Sequence, residues 1–101
     1  MPKWADYLIS KVQYNADETH IVNVMSHVDN GDSVGIGSVT SRATVVSRIE
    51  WGNTYKTITK GTDGNWKEGA TIFVVAIDSV KYIKTVPDST KKDNLGSLPR
   101  F

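Results

Sequence analysis

Apolar and polar residues alternate along most of this chain with the period of β-strands. Tyr7–Tyr14 is rich in β-formers and places Leu8, Val12 and Tyr14 on one face. Residues 15–19 supply a turn, and His20–Val28 follow as a second strand with Val22, Val24 and Val28 together. Asp29-Asn-Gly-Asp32 predicts a hairpin, because Asn-Gly readily takes the positive φ angles of a type I′ turn. Ser33–Gly37 is expected to pair back as a short third strand.

One segment departs from this period. Val45, Val46 and Ile49 recur at helical spacing, with Ser41 as N-cap and Gly52 as the residue that ends the helix, predicting a helix over Arg42–Trp51. It is short and rich in β-branched residues, so packing on a sheet has to stabilise it. Strand patterning resumes at Thr54–Thr59. Gly61–Gly69 reads as a loop. Thr71–Ile77 is apolar on both faces, the pattern of a central strand covered on both sides, and Val80–Thr85 alternates as a half-exposed strand.

The order β-β-β-α-β-β-β predicts an α+β fold: a small antiparallel β-barrel or strongly curved sheet with one short helix packed on it. The chain has 101 residues, enough for one core and no more. Residues 1–87 read as the single domain and 88–101 as an extended C-terminal tail, docked on the domain or on a partner.

Composition narrows the chemistry. There is no cysteine, which removes disulfides and thiolate zinc sites. The longest apolar run, Ile72–Ile77, is far short of a bilayer span, and the N-terminus carries no apolar signal region, so a soluble cytoplasmic protein is expected. Residues 1–50 carry a net charge of −2 and residues 51–101 one of +3. This bias, with a pI near 8.0, is weaker than the basic signature of a dedicated nucleic-acid binder.

No catalytic constellation emerges from spacing. His20 and His27 stand an odd number apart on one predicted strand and so face opposite sides. A His27–Asp29 site is conceivable, but exposed polar residues at a strand end explain both histidines. No metal site and no cofactor are expected. Gly31-x-x-x-Gly35-x-Gly37 matches neither the dinucleotide nor the Walker pattern, and a bulge or a close helix approach accounts for Gly35 and Gly37. The carboxylates Asp29, Asp32 and Asp63 read as solvated turn residues. Trp51 and Tyr82 read as core or half-core anchors, and Trp66 as either an exposed binding anchor or a buried lid.

The tail adds Leu95, Leu98 and Phe101 at three-residue spacing. Burying three side chains does not by itself offset the backbone entropy of ordering the segment, so Asp93 and Asn94 have to find hydrogen bonds.

Four segments together carry a resemblance: Asp6-Tyr-Leu-Ile-Ser10, Val45-Val-x-x-Ile-Glu-x-Gly52, Lys81-Tyr-Ile-Lys-Thr85 and Lys92-Asp-Asn-Leu-Gly-x-Leu-Pro99. The chain resembles a family of small bacterial and phage-associated domains of unknown function. That resemblance implies a compact single domain whose tail belongs to the pattern, and it implies no activity.

The leading functional expectation is a non-catalytic binding module for a protein partner or a second copy of itself, with Trp66, Tyr82, Lys84, Asn94, Leu95 and Leu98 as its surface. The alternative is capture of an anionic small molecule such as a nucleotide, or of single-stranded nucleic acid, through Gly35, Gly37, Ser41, Arg42 and Lys56.

Overall fold

The long hairpin expected at the start of the chain forms, joining β1 (Tyr7–Tyr14) to β2 (Ile21–Val28) with Tyr14 opposite Ile21 and Leu8 opposite His27. The computed structural model describes residues 4–17, 20–31, 33–85, 93, 95 and 98–101. Asn94, Asp32 and the polar start of the tail at residues 88–92 lie outside the described residues.

The third strand, β3, runs Ser38–Ser41, later than the predicted Ser33–Gly37, and leads straight into helix α1 (Arg42–Glu50). Ser41 caps α1 as expected, its Oγ accepting the Thr44 N–H. At the other end Gly52 takes φ 101°, and the amides of Gly52 and Asn53 bond the carbonyls of Ile49 and Arg48. This is the Schellman ending that the glycine predicts. β4 (Tyr55–Lys60) and β5 (Trp66–Thr71) follow, then the hairpin β6 (Phe73–Ile77) and β7 (Val80–Lys84). The tight type I′ turn falls in that last hairpin, where Asp78 and Ser79 have φ 51° and 68°. At Asp29–Val34 only Gly31 among the described residues turns positive.

The barrel expectation is overturned. Five strands form one open sheet in the order β3-β2-β1-β4-β5, and β6–β7 form a separate two-stranded sheet. Closure would need the edge strands β3 and β5 to pair, but among the named strands β3 pairs only with β2 and β5 only with β4. The order is also changed by β5, which replaces the second half of the expected 61–69 loop. Thr71–Ile77 is not one central strand: Thr71 ends β5, Ile72 turns inward and donates to the Tyr55 carbonyl at 2.9 Å, and β6 starts at Phe73, which is 43% exposed.

β1 and β4 pair in parallel over Tyr7–Ile9 and Tyr55–Thr57, whereas every other pairing between named strands is antiparallel. Beyond Ile9 the two part company. The C-terminal residues take the vacated edge of β1, where Val12 donates to the Pro99 carbonyl at 2.9 Å and Phe101 donates to the Val12 carbonyl at 3.1 Å. Residues 99–101 thus add one isolated parallel bridge to β1 at Val12.

The main core lies between one face of the large sheet and α1, the β6–β7 hairpin and the tail. It gathers Ile9, Val12, Val24 and Tyr55 from the sheet, Val45 and Val46 from α1, Ile83 from β7, and Leu95 and Leu98 from the tail. The opposite face holds a smaller cluster, Ala5, Leu8 and Ile58, edged by Trp4, Val34 and Trp66. Trp51, expected as a core anchor, is 85% exposed: as the helix C-cap it lies beyond the apolar stripe of α1.

Candidate functional site

The point where β4 leaves β1 opens a groove of about 670 Å³ on the smaller-cluster face of the sheet. Ser10 and Lys11 line it from β1, Met25 and His27 from β2, and Thr59 and Lys60 from β4. Trp66 at the start of β5 and Pro99 of the tail complete its rim. Trp66 also walls a neighbouring cavity of about 310 Å³ that reaches Trp4 and Asp29.

Two polar side chains are anchored in the groove wall. A register shift between Ile9 and Lys11 leaves Ser10 as the extra residue of a β-bulge, the device by which a strand re-aims one side chain. Ser10 Oγ lies 2.7 Å from His27 Nε2, and His27 Nδ1 lies 2.8 Å from the Gly35 carbonyl oxygen. A carbonyl only accepts, so Nδ1 carries a proton, and in the neutral imidazole Nε2 is then the acceptor of the Ser10 hydroxyl proton. His27 is thus buried and doubly bonded, not the exposed strand-end residue that its spacing suggests. The Trp66 ring tilts against it at 5.6 Å between centroids.

Two cations sit at the same groove. Lys60 Nζ lies 4.9 Å from the centre of the Trp66 ring. Neither Lys60 nor Lys11 takes part in an ion pair among the described residues. Asp29, expected as a solvated turn residue, is 4% exposed and accepts the N–H groups of Trp4, Ala5 and Gly31. Asp63 is an exposed turn carboxylate as expected. The Asn65 N–H and the Lys67 ammonium it accepts hold it below the usual carboxylate range.

The residues expected at the surface separate widely. Trp66 reaches the groove, although from a strand and not from a loop. Tyr82 and Lys84 are buried, 5% and 1% exposed, with the Tyr82 ring stacked on His20 at 5.4 Å and Lys84 Nζ 5.7 Å from the same ring. Their alternation is that of a half-exposed strand, but the His20 ring and the Arg42 guanidinium pack on the Tyr82 ring. Leu95 and Leu98 are core residues, and Asn94 is outside the described residues.

Of the anion-site expectation, only Gly37 lines the groove, and it approaches β2, not the helix: a Cβ there would come within 2.9 Å of His27 Cε1 and Met25 Sδ. At Gly35 a Cβ would meet the Val28 carbonyl oxygen at 3.0 Å. Ser41 is engaged in the helix cap, and Lys56 pairs with Glu68. Arg42 is turned to Asp93 and to the Lys81 carbonyl. Those five residues do not assemble into one site.

The four segments that carry the resemblance fall at the groove and the core. Ser10 is in the groove wall, α1 covers the core, and β7 and the tail meet at Asp93. The family model described as "Protein of unknown function (DUF3892)" matches residues 8–99. The chain belongs to the DUF3892 family. No curated protein and no solved structure matches it. The matched span of the DUF3892 domain contains the whole Ser10–His27–Gly35 arrangement, the groove's cations and Asp93. Among its described residues no group of three His, Asp or Glu side chains is placed to hold a metal ion, and no helix is long and apolar enough to cross a membrane.

The Ser10–His27 pair is the feature that spacing missed. The two are 17 residues apart, which signals nothing by itself. The hairpin register would have found it: a turn at residues 15–20 sets His27 opposite Leu8, and Ser10 is the next residue on that face.

Proposed function

We propose that this DUF3892 domain is a ligand-binding module whose groove takes an anionic molecule with a planar ring, of the nucleotide class. The observation that carries the reading is the pairing of Trp66 with Lys60 and Lys11 at one concave site. A ring stacked on an aromatic side chain contributes about 1–3 kcal/mol, and the two ammonium groups supply the charge to meet a phosphate. A volume of about 670 Å³ lies in the range of small-molecule sites.

The other expectation, a protein partner or a second copy docking on the tail, drew on Leu95 and Leu98. Both are engaged in the core, so a partner would need a different surface. The bacterial and phage setting implied by the resemblance, and a cytoplasmic location, belong to the present reading.

Titrating the domain with ATP at low salt, while following tryptophan fluorescence, tests it. Quenching that weakens as salt rises, and that is lost in Trp66→Ala and reduced in Lys60→Ala, is expected. Quenching by a short oligothymidylate but not by ATP would move the reading to a nucleic-acid strand. Fluorescence indifferent to both would end it.

A further inference from the structure

We propose that Ser10 is a nucleophile and His27 its general base, giving the groove a serine-hydrolase activity on small carboxylic esters. This goes beyond ligand capture and does not depend on which anion the groove prefers.

The geometry meets the requirements of an activated hydroxyl in order. Ser10 Oγ is 2.7 Å from His27 Nε2, within proton-transfer distance. His27 Nδ1 is 2.8 Å from the Gly35 carbonyl, which fixes the tautomer and leaves the Nε2 lone pair toward the hydroxyl. That carbonyl takes the orienting part that a carboxylate plays in a Ser-His-Asp triad. The imidazole is also held in place sterically. Trp66 lies against it, and Gly37 approaches so closely that a Cβ there would be 2.9 Å from Cε1. Both side chains are more than nine-tenths buried and still form part of the wall of the groove.

Ser10 and His27 join β1 to β2 and both line the groove, so the hydroxyl lies beside the space a substrate would occupy. The bulge at Ser10 gives the residue its aim, and the ammonium groups of Lys11 and Lys60 are the groove's cations for a developing oxyanion.

In the acylation step the Oγ–carbonyl carbon bond forms and the carbon–alkoxide bond of the ester breaks. The hydroxyl proton passes to Nε2 and then to the departing alcohol. Water then attacks the acyl-serine, gives its proton to Nε2, and releases the acid as that proton returns to Oγ. One ester and one water become one acid and one alcohol.

The test uses the full chain and a fluorophosphonate ester, which phosphonylates a nucleophilic hydroxyl with loss of fluoride. Intact mass and peptide mapping are expected to show one adduct, on Ser10, absent in Ser10→Ala. In His27→Gln the labelling rate is expected to fall about 10²-fold or more. Circular dichroism establishes that each variant is folded. Folded wild-type protein without a Ser10 adduct overturns the proposal, whether or not His27→Gln folds. Equal labelling in folded His27→Gln would overturn the base assignment. ATP quenching has no part in this readout, so the two proposals stand or fall separately.

Discussion

Asp93 and Arg42 form an ion pair where tail, helix and sheet meet. The Arg42 Nε lies 2.8 Å from Oδ2 of a carboxylate whose side chain has no exposed surface. The contact is off the N–H direction, and the guanidinium's further hydrogen bond to Oδ1 is 3.3 Å long. Stronger bonds come from the backbone: Ile21 N–H donates to Oδ2 at 2.7 Å and Ile83 N–H to Oδ1 at 2.8 Å. One carboxylate thus ties together the start of β2, the C-terminal end of β7, the start of α1 and the tail.

Replacing Asp93 by Ala strands two buried N–H groups and removes the ion-pair partner of the Arg42 guanidinium, which keeps its bond to the Lys81 carbonyl. Breaking such a buried pair is expected to cost about 3–5 kcal/mol, toward the lower end because Arg42 keeps 24% exposure and can be solvated. Urea denaturation measures it as a shift in midpoint at constant slope. A loss below about 1 kcal/mol would mean that the backbone donors find other partners.

Removing residues 93–101 tests the tail itself. Truncation deletes Asp93, Leu95 and Leu98 and uncovers the edge of β1 at Val12. A single Leu→Ala change in a packed core already costs about 2–5 kcal/mol, so the truncated chain is expected to be unfolded under native conditions. Native-like dispersion of its amide NMR signals would show the tail to be an accessory and not part of the fold.

Gly69 is a packing requirement of the β4–β5 pair. A Cβ there would overlap Thr57 Oγ1 and come within 2.6 Å of the Thr57 carbonyl oxygen, beside the register shift between Lys56 and Ile58. Gly69→Ala should push β5 away from β4 and destabilise the domain by about 1–3 kcal/mol. Since Trp66 begins β5, the groove should open with it, and faster amide exchange at Ala70, whose N–H donates to Thr57 Oγ1, would report the change. Unchanged exchange would show that the strand absorbs the methyl group.

How much of this was legible in the sequence depends on how local each feature is. The cap at Ser41, the stop at Gly52 and the apolar stripe of Val45 and Val46 are local, and they appear as read. So does the need for Asp93 to be hydrogen bonded, which followed from the weakness of the tail's apolar anchors. The barrel did not appear because closure depends on which strands meet, and the parallel β1–β4 pairing joins segments separated by a strand pair and a helix. Residues 61–69 looked like a loop because glycine and polar residues dominate them. The ladder with β4 holds Trp66–Thr71 as a strand all the same. Tyr82 and His27 pack against partners distant in sequence, and no periodicity within their own strands carries that information.

Alkaline pH offers the last test, through Tyr55. Its ring is fully buried and stacks on Tyr7 at 5.0 Å, and its hydroxyl accepts from Arg48 Nη1 at 3.1 Å. Burial pushes the Tyr55 phenol above its ordinary value, more than the Arg48 guanidinium pulls it back. Tyr14 is raised as well, again chiefly by burial. In the unfolded chain both phenols ionise near pH ~10, whereas the folded protein holds their protons to higher pH. The stabilisation is therefore complete below about pH 10 and is lost as pH rises through the folded-state values. Tyr55→Phe should cost about 1 kcal/mol at neutral pH, through the lost Arg48 bond, and should flatten the decline in urea midpoint above about pH 10. A decline as steep in Tyr55→Phe as in the unmodified chain would mean that Tyr55 does not carry the alkaline sensitivity.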